Sequence, residues 1–193
     1  MADWHTSKGA RVHAGEVDDV TTDPARDLLL DGFGRIRDGL PDAVDGLSED
    51  ELLWRPDAAA NHIAWLVWHL ARQQDDQVTH LAGAATSVWL GDGWVERFGL
   101  PYPRDAHGWS MSSDDVGRFT VADPDLFAAY QQAVHERTVS YVEGLDAAAY
   151  GRVIDRHWNP PVTVGVRIVS VLDDAAKHLG QAEYVRGLVE RRR

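Results

Sequence analysis

The sequence predicts an all-α fold, a four-helix bundle with one long crossover between its second and third helices. Three observations lead there. Apolar residues recur at steps of three and four in four separate stretches, the mark of amphipathic helices. Strand-like alternation is scarce, and no internal repeat is present. Residues 84–122, which lack either period, separate the second helical stretch from the third.

Residues 1–20 carry little periodicity and are expected to form a loose arm, with residues 21–193 as a single domain. From Pro24 the pattern turns helical, with Leu29, Phe33, Ile36, Leu40, Val44 and Leu47 on one stripe. Pro41 interrupts it and is expected to kink or split the helix near Leu40, because proline lacks the amide donor a helix interior needs. Trp54-Arg55-Pro56 reads as an extended link. The second helix is expected from about Asn61, a good N-cap, to near Leu81, with Gly83 placed to end it. The crossover from Ala84 to Ala122 holds Trp89, Trp94 and Trp109; loops that long are functional or hide short elements. Asp123 as N-cap and Pro124 at the first helical position start the third helix, whose stripe is Phe127, Tyr130, Val134, Tyr141 and Leu145. The fourth begins after Pro160-Pro161 and extends to about Val189.

Composition narrows the function. A net charge of −12 argues against nucleic acid, whose phosphates need a clustered basic surface. The basic run Arg191-Arg192-Arg193 reads as a solvated tail. The absence of cysteine excludes disulfides, thiolate metal ligands and a cysteine nucleophile together, so any thiol chemistry requires a thiol carried by a substrate. No apolar run approaches the roughly 18–20 residues of a membrane span, and the N-terminus lacks a signal-peptide core. A cytoplasmic protein without a membrane partner is the expectation.

Two helices carry polar residues on faces that should be buried. On the fourth, Arg167, Val171, Asp174, His178, Gln181 and Val185 share a face. Asp174 and His178 are four apart and point the same way, one turn above the other. Taken alone, this stripe reads more simply as solvent-facing, with Val169, Leu172, Ala176, Leu179 and Tyr184 packing inward. On the second helix His62, Leu66, His69, Gln73 and Asp76 align, and His69 stands among Trp65, Leu66, Val67, Trp68 and Leu70. A lone buried histidine is more often a satisfied core residue than a ligand. Jointly, two imidazoles and a carboxylate from facing helices make a transition-metal site with open positions. Asp173 is a rival to Asp174, but it lies about 100° around the helix, out of line with His178.

The segment Asn61–Asp76 resembles the metal-ligand helix of the DinB/YfiT-like superfamily, and Asp173–Gly187 resembles its last helix. Leu52-Leu53-Trp54-Arg55-Pro56 and Trp94–Pro101 are similar to connecting segments of an actinobacterial branch. The resemblance implies a four-helix bundle, often dimeric, with a divalent metal held by three residues. It also implies chemistry on a low-molecular-weight thiol such as mycothiol or bacillithiol, by transferases or isomerases. Many members carry His-x-x-x-His on the last helix, whereas this chain has Asp174 at the first of those positions. Carboxylate substitution there occurs among mycothiol-using relatives, so the departure bears on which metal is held.

The expected ligands are therefore His69, Asp174 and His178, with Gln73, Arg167 and Gln181 as orienting or substrate-contacting candidates. Zinc is the first expectation, with nickel, iron or manganese as alternatives, because two imidazoles plus a carboxylate also describe the non-haem iron triad. The substrate is expected to be a small molecule and the assembly a homodimer. Three functions compete: thiol transfer to a small electrophile, hydrolysis by bound water, and ligand binding by a non-catalytic stress protein.

Overall fold

The computed structural model describes residues 23–192, so the expected loose arm lies outside the described residues. Four long helices build the molecule: α1 (Pro24–Val44), α3 (Ile63–Ala82), α7 (Pro124–Glu143) and α8 (Val164–Glu190). Short elements connect them: α2 (Glu49–Leu52), α4 (Val88–Gly91), α5 (Trp94–Phe98), α6 (Ser113–Val116), and a small antiparallel hairpin of β1 (Val153–Asp155) and β2 (Val162–Thr163). In the bundle α3 packs against α8 and α7, and α1 packs against the same two from the opposite corner.

Local chemistry sets most of the boundaries. The Asp23 carboxylate accepts from the Ala25 and Arg26 amides, and Pro24 fills the first position of α1. Asp123 and Pro124 repeat the device on α7, where the carboxylate accepts from the Leu126 amide. Gly83 closes α3 in the left-handed conformation at φ 61°. The expected split at Pro41 does not occur: α1 runs through it to Val44. Pro41 sits in the last turn, and its carbonyl still accepts from the Asp45 amide at 2.8 Å, so little helix remains for the missing donor to disrupt. The cap of α3 is likewise one residue later than expected. His62, not Asn61, holds it: His62 Nδ1 accepts the Trp65 amide at 3.0 Å.

The long crossover is not irregular. Its three short helices and the turn after α6 lay Trp89, Trp94, Phe98 and Phe119 against the bundle, where Trp68 meets Trp89, Tyr102 and Phe119 with ring centroids 5.5–6.2 Å apart. This explains why α3 is apolar on nearly every side from Ile63 to Ala71. Two faces meet α7 and α8, and the crossover covers another. Each such buried aromatic contributes on the order of 1.5–3 kcal/mol over its exposed state. On α8 the solvent-facing reading of the polar stripe holds only in part. Leu179 is buried and Leu172 partly so, and Gln181 is exposed, as that reading has it. But Val169, Ala176 and Tyr184 are exposed, and Ile168, Val171, Ala175, Leu179, Ala182 and Val185 form the inner face that carries Asp174 and His178 at its margin.

Candidate metal centre

The buried face of α3 and the margin of α8 bring His69, Asp174 and His178 together, with one ligand atom from each lying within 4.8 Å of the others. The rings of His69 and His178 meet edge to face at 4.7 Å between centroids. His178 Nε2 stands 3.6 Å from Asp174 Oδ1, the consequence of their one-turn spacing.

Both rings are oriented from behind. His69 Nδ1–H donates to the carbonyl oxygen of His107 at 2.6 Å, and the ring stacks on Trp65 at 4.6 Å. His178 Nδ1–H donates to Gln181 Oε1 at 2.9 Å. His69 therefore turns Nε2 toward the shared centre with its lone pair free, the tautomer that a metal-binding histidine requires, while Nε2 of His178 faces Asp174. Burial lowers the His69 pKa to about 4, so this imidazole is neutral at physiological pH. Burial also opposes the charged form of His178, but hydrogen bonds to Asp174 and Gln181 outweigh it and raise the pKa. The His178 hydrogen bond in turn holds the Asp174 carboxyl below its usual range. A divalent ion takes neutral nitrogen and ionised oxygen donors, so it would displace any proton that His178 shares with Asp174. Metal bonds of about 2.0–2.3 Å place ligand atoms roughly 3–4 Å apart, so the trio fits one ion after a slight contraction.

Of the other polar candidates, Gln181 touches His178 as described, and Gln73 lines a cavity beside Asp174. Arg167 lies farther along α8 and donates to Gln77 Oε1 at 2.7 Å, away from the trio.

Sequence reasoning missed the machinery that fixes His69. The His107 carbonyl belongs to the crossover, and Gly108 beside it adopts φ 92°. A Cβ at Gly108 would stand 2.3 Å from His69 Nδ1. The crossover is held by a buried pair on α3. Arg72 donates to the Ala106 carbonyl through Nε at 3.0 Å and pairs with Asp75 at 3.3 Å. Asp75 accepts the Val88 and Trp89 amides at 3.0 and 2.8 Å and the Tyr130 hydroxyl at 2.9 Å. An arginine and an aspartate three apart inside an apolar helix are the signal that could have revealed this network.

A cavity of about 360 Å³ opens beside Asp174, between α3, α8 and the hairpin. Among the described residues no helix is long and apolar enough to cross a membrane.

Comparison with known proteins agrees with this architecture. The profile of the family described as mycothiol-S-transferase matches residues 28–191. Among solved structures, a conserved protein from Enterococcus faecalis superposes with a TM-score of 0.81 at 31% sequence identity, over 87% of this chain and 98% of that one. No curated protein matches the chain.

Proposed function

The chain belongs to the mycothiol-S-transferase family, within the DinB/YfiT-like group, and from that premise we propose that it is a metal-dependent enzyme joining a low-molecular-weight thiol to a small electrophile. The observation that carries this reading is the convergence of His69, Asp174 and His178 beside a cavity, in a chain that has no cysteine of its own.

Nε2 of both histidines and the Asp174 carboxylate would hold the ion, and zinc is the metal proposed for this set. When bound, it supplies positive charge that stabilises a thiolate at neutral pH, where a free thiol with pKa near 8.5 is mostly protonated. The protein's own residues do the rest. His107 and Gln181 fix the two rings, so the donors are aimed before any substrate arrives. Trp65 and the crossover cover His69 and shield that side from water. The open cavity beside Asp174 and Gln73 admits the electrophile. In the transfer the thiol proton passes to solvent, and the sulfur lone pair forms the new C–S bond. The leaving group departs with the electrons of the bond that breaks. With an activated alkene, the π pair moves to the adjacent carbon, which takes up a proton.

The test is to measure metal content by elemental analysis and mycothiol-dependent alkylation of an electrophilic dye, before and after chelation. The expected result is one divalent ion per chain, with conjugation that disappears on chelation and returns on adding zinc. Ester hydrolysis by the metal-loaded protein with no thiol-dependent reaction would transfer the assignment to a hydrolase.

A further inference from the structure

We propose that the 360 Å³ cavity is the acceptor subsite, and that it selects an electrophile with a small planar apolar body and a carboxylate held by Arg167. This rests on the thiol-transfer reading of the adjoining trio and names the substrate class that reading leaves open.

The walls of the cavity differ in chemistry along its length. Asp174 and Gln73 stand at the end next to the trio. Trp158, Val162, Val166 and Val171 supply apolar surface between the hairpin and α8. Trp158 and Val166 are 67% and 53% exposed, an open display of apolar surface that a folded protein seldom leaves without a use. Arg167, about two turns before Asp174 on α8, also lines the cavity. Its guanidinium bonds to the neutral Gln77 amide oxygen, and among the described residues it forms no ion pair. Asp155 on the hairpin feels its charge, and that carboxylate is already engaged by the amide and ring of His157. A partly buried arginine with unused donors binds a carboxylate in two-point fashion.

Spacing fits the assignment. Arg167 and Asp174 are seven residues apart on α8, which is about 10 Å of helix rise. A carboxylate at Arg167 therefore directs the other end of an aryl or alkenyl acid toward the trio. The volume sits at the small end of the range for ligand sites, about 300–1,000 Å³, which suits a body of one ring.

The experiment uses trans-cinnamate and its neutral isostere cinnamamide, titrated calorimetrically into the purified protein and into the same protein after chelation. Cinnamate is expected to bind about tenfold or more tightly than cinnamamide, as a charge-assisted hydrogen-bonded pair implies. The preference should survive chelation and shrink between 25 and 250 mM salt. Arg167→Gln should abolish it, Arg167→Lys should keep part of it, and Trp158→Ala should weaken both ligands alike. Equal affinities for acid and amide overturn the proposal, as does a preference that vanishes on chelation, because the carboxylate would then have been sitting on the metal. Neither outcome touches the transfer reading, which stands on metal content and thiol-dependent turnover of the unaltered protein.

Discussion

The carbonyl oxygen of His107 accepts a hydrogen bond from Nδ1 of His69 at 2.6 Å, joining the crossover to a buried side chain of α3. A backbone carbonyl has no rotamer freedom, so the imidazole inherits the rigidity of the segment behind it. The crossover thus serves the centre by fixing one of its ligands, and Arg72 secures the same segment through the Ala106 carbonyl.

Gly108→Ala should therefore damage the centre without unfolding the bundle. The new Cβ would lie 2.3 Å from His69 Nδ1, and the backbone there is at φ 92°, a region alanine avoids. The expected effect is a loss of zinc affinity of about 10–100-fold, the usual consequence of disturbing a ligand's supporting hydrogen bond. Calorimetric titration together with far-ultraviolet circular dichroism checks it. Wild-type affinity in a folded Gly108→Ala protein would mean that the His107 contact is incidental.

Asp75→Ala should be more costly to the whole fold. Both partners of the Arg72–Asp75 pair are buried, and Asp75 also accepts two crossover amides and a tyrosine hydroxyl. Removing the carboxylate strands the guanidinium and orphans those donors. The expected loss is about 3–5 kcal/mol in urea unfolding. Replacing both residues by apolar ones of similar size should cost less than Asp75→Ala alone, since no unpaired charge is then buried.

The elements that the sequence made legible are those with local signatures. Asp23-Pro24, Asp123-Pro124 and Gly83 each announce a helix end through their own backbone chemistry. His69 and the Asp174–His178 pair were legible because helical spacing places them. The crossover helices and the hairpin run for only two to five residues, too short to establish a period. Asn61 reads as the N-cap because asparagine is a favoured capping residue, yet the His62 ring, packed against Phe119, takes that place. The His107 carbonyl was illegible in principle, since every residue carries such a group. Trp158 owes its place in the cavity wall to the hairpin fold, which no nearby residue pattern announces.

His62 predicts a pH dependence. Its Nδ1 accepts the Trp65 amide while Nε2–H donates to the Val116 carbonyl at 3.2 Å, so the folded state requires the neutral ring. Burial lowers its pKa from 6.5 to about 4. Between those values the unfolded chain binds the proton and the folded chain does not, so stability rises with pH across this window. The contribution is complete above about pH 6.5 and falls as the pH drops toward 4, by roughly 3 kcal/mol in all. His62→Asn retains a capping acceptor but does not titrate. The difference in unfolding free energy between wild type and this variant should therefore slope upward from pH 4 to 6.5 and flatten beyond. A difference that stays constant over that range would show that His62 is protonated as readily when folded as when unfolded.

Asp174 decides whether the three converging groups act as one centre. Its oxygen belongs to the trio, and the His178 ring stands 3.6 Å away. Asp174→Ala leaves two imidazoles, too few bonds to retain an ion through dialysis, so bound metal should fall to below about a tenth of the wild-type content. Helicity should persist, because the half-exposed side chain caps no helix and fills no core. Asp174→His restores a donor at the same one-turn spacing from His178 and should recover about one ion per chain, with the site more positive by one charge. Metal content of the three proteins after identical dialysis checks the argument. If Asp174→Ala holds as much metal as the wild type, the carboxylate is not a ligand, and its one role is the hydrogen bond that raises the pKa of His178. The two roles also separate by pH. A ligand's removal lowers metal content at every pH, whereas loss of that hydrogen bond lowers the pKa of His178 and leaves more of its ring neutral for binding in acid.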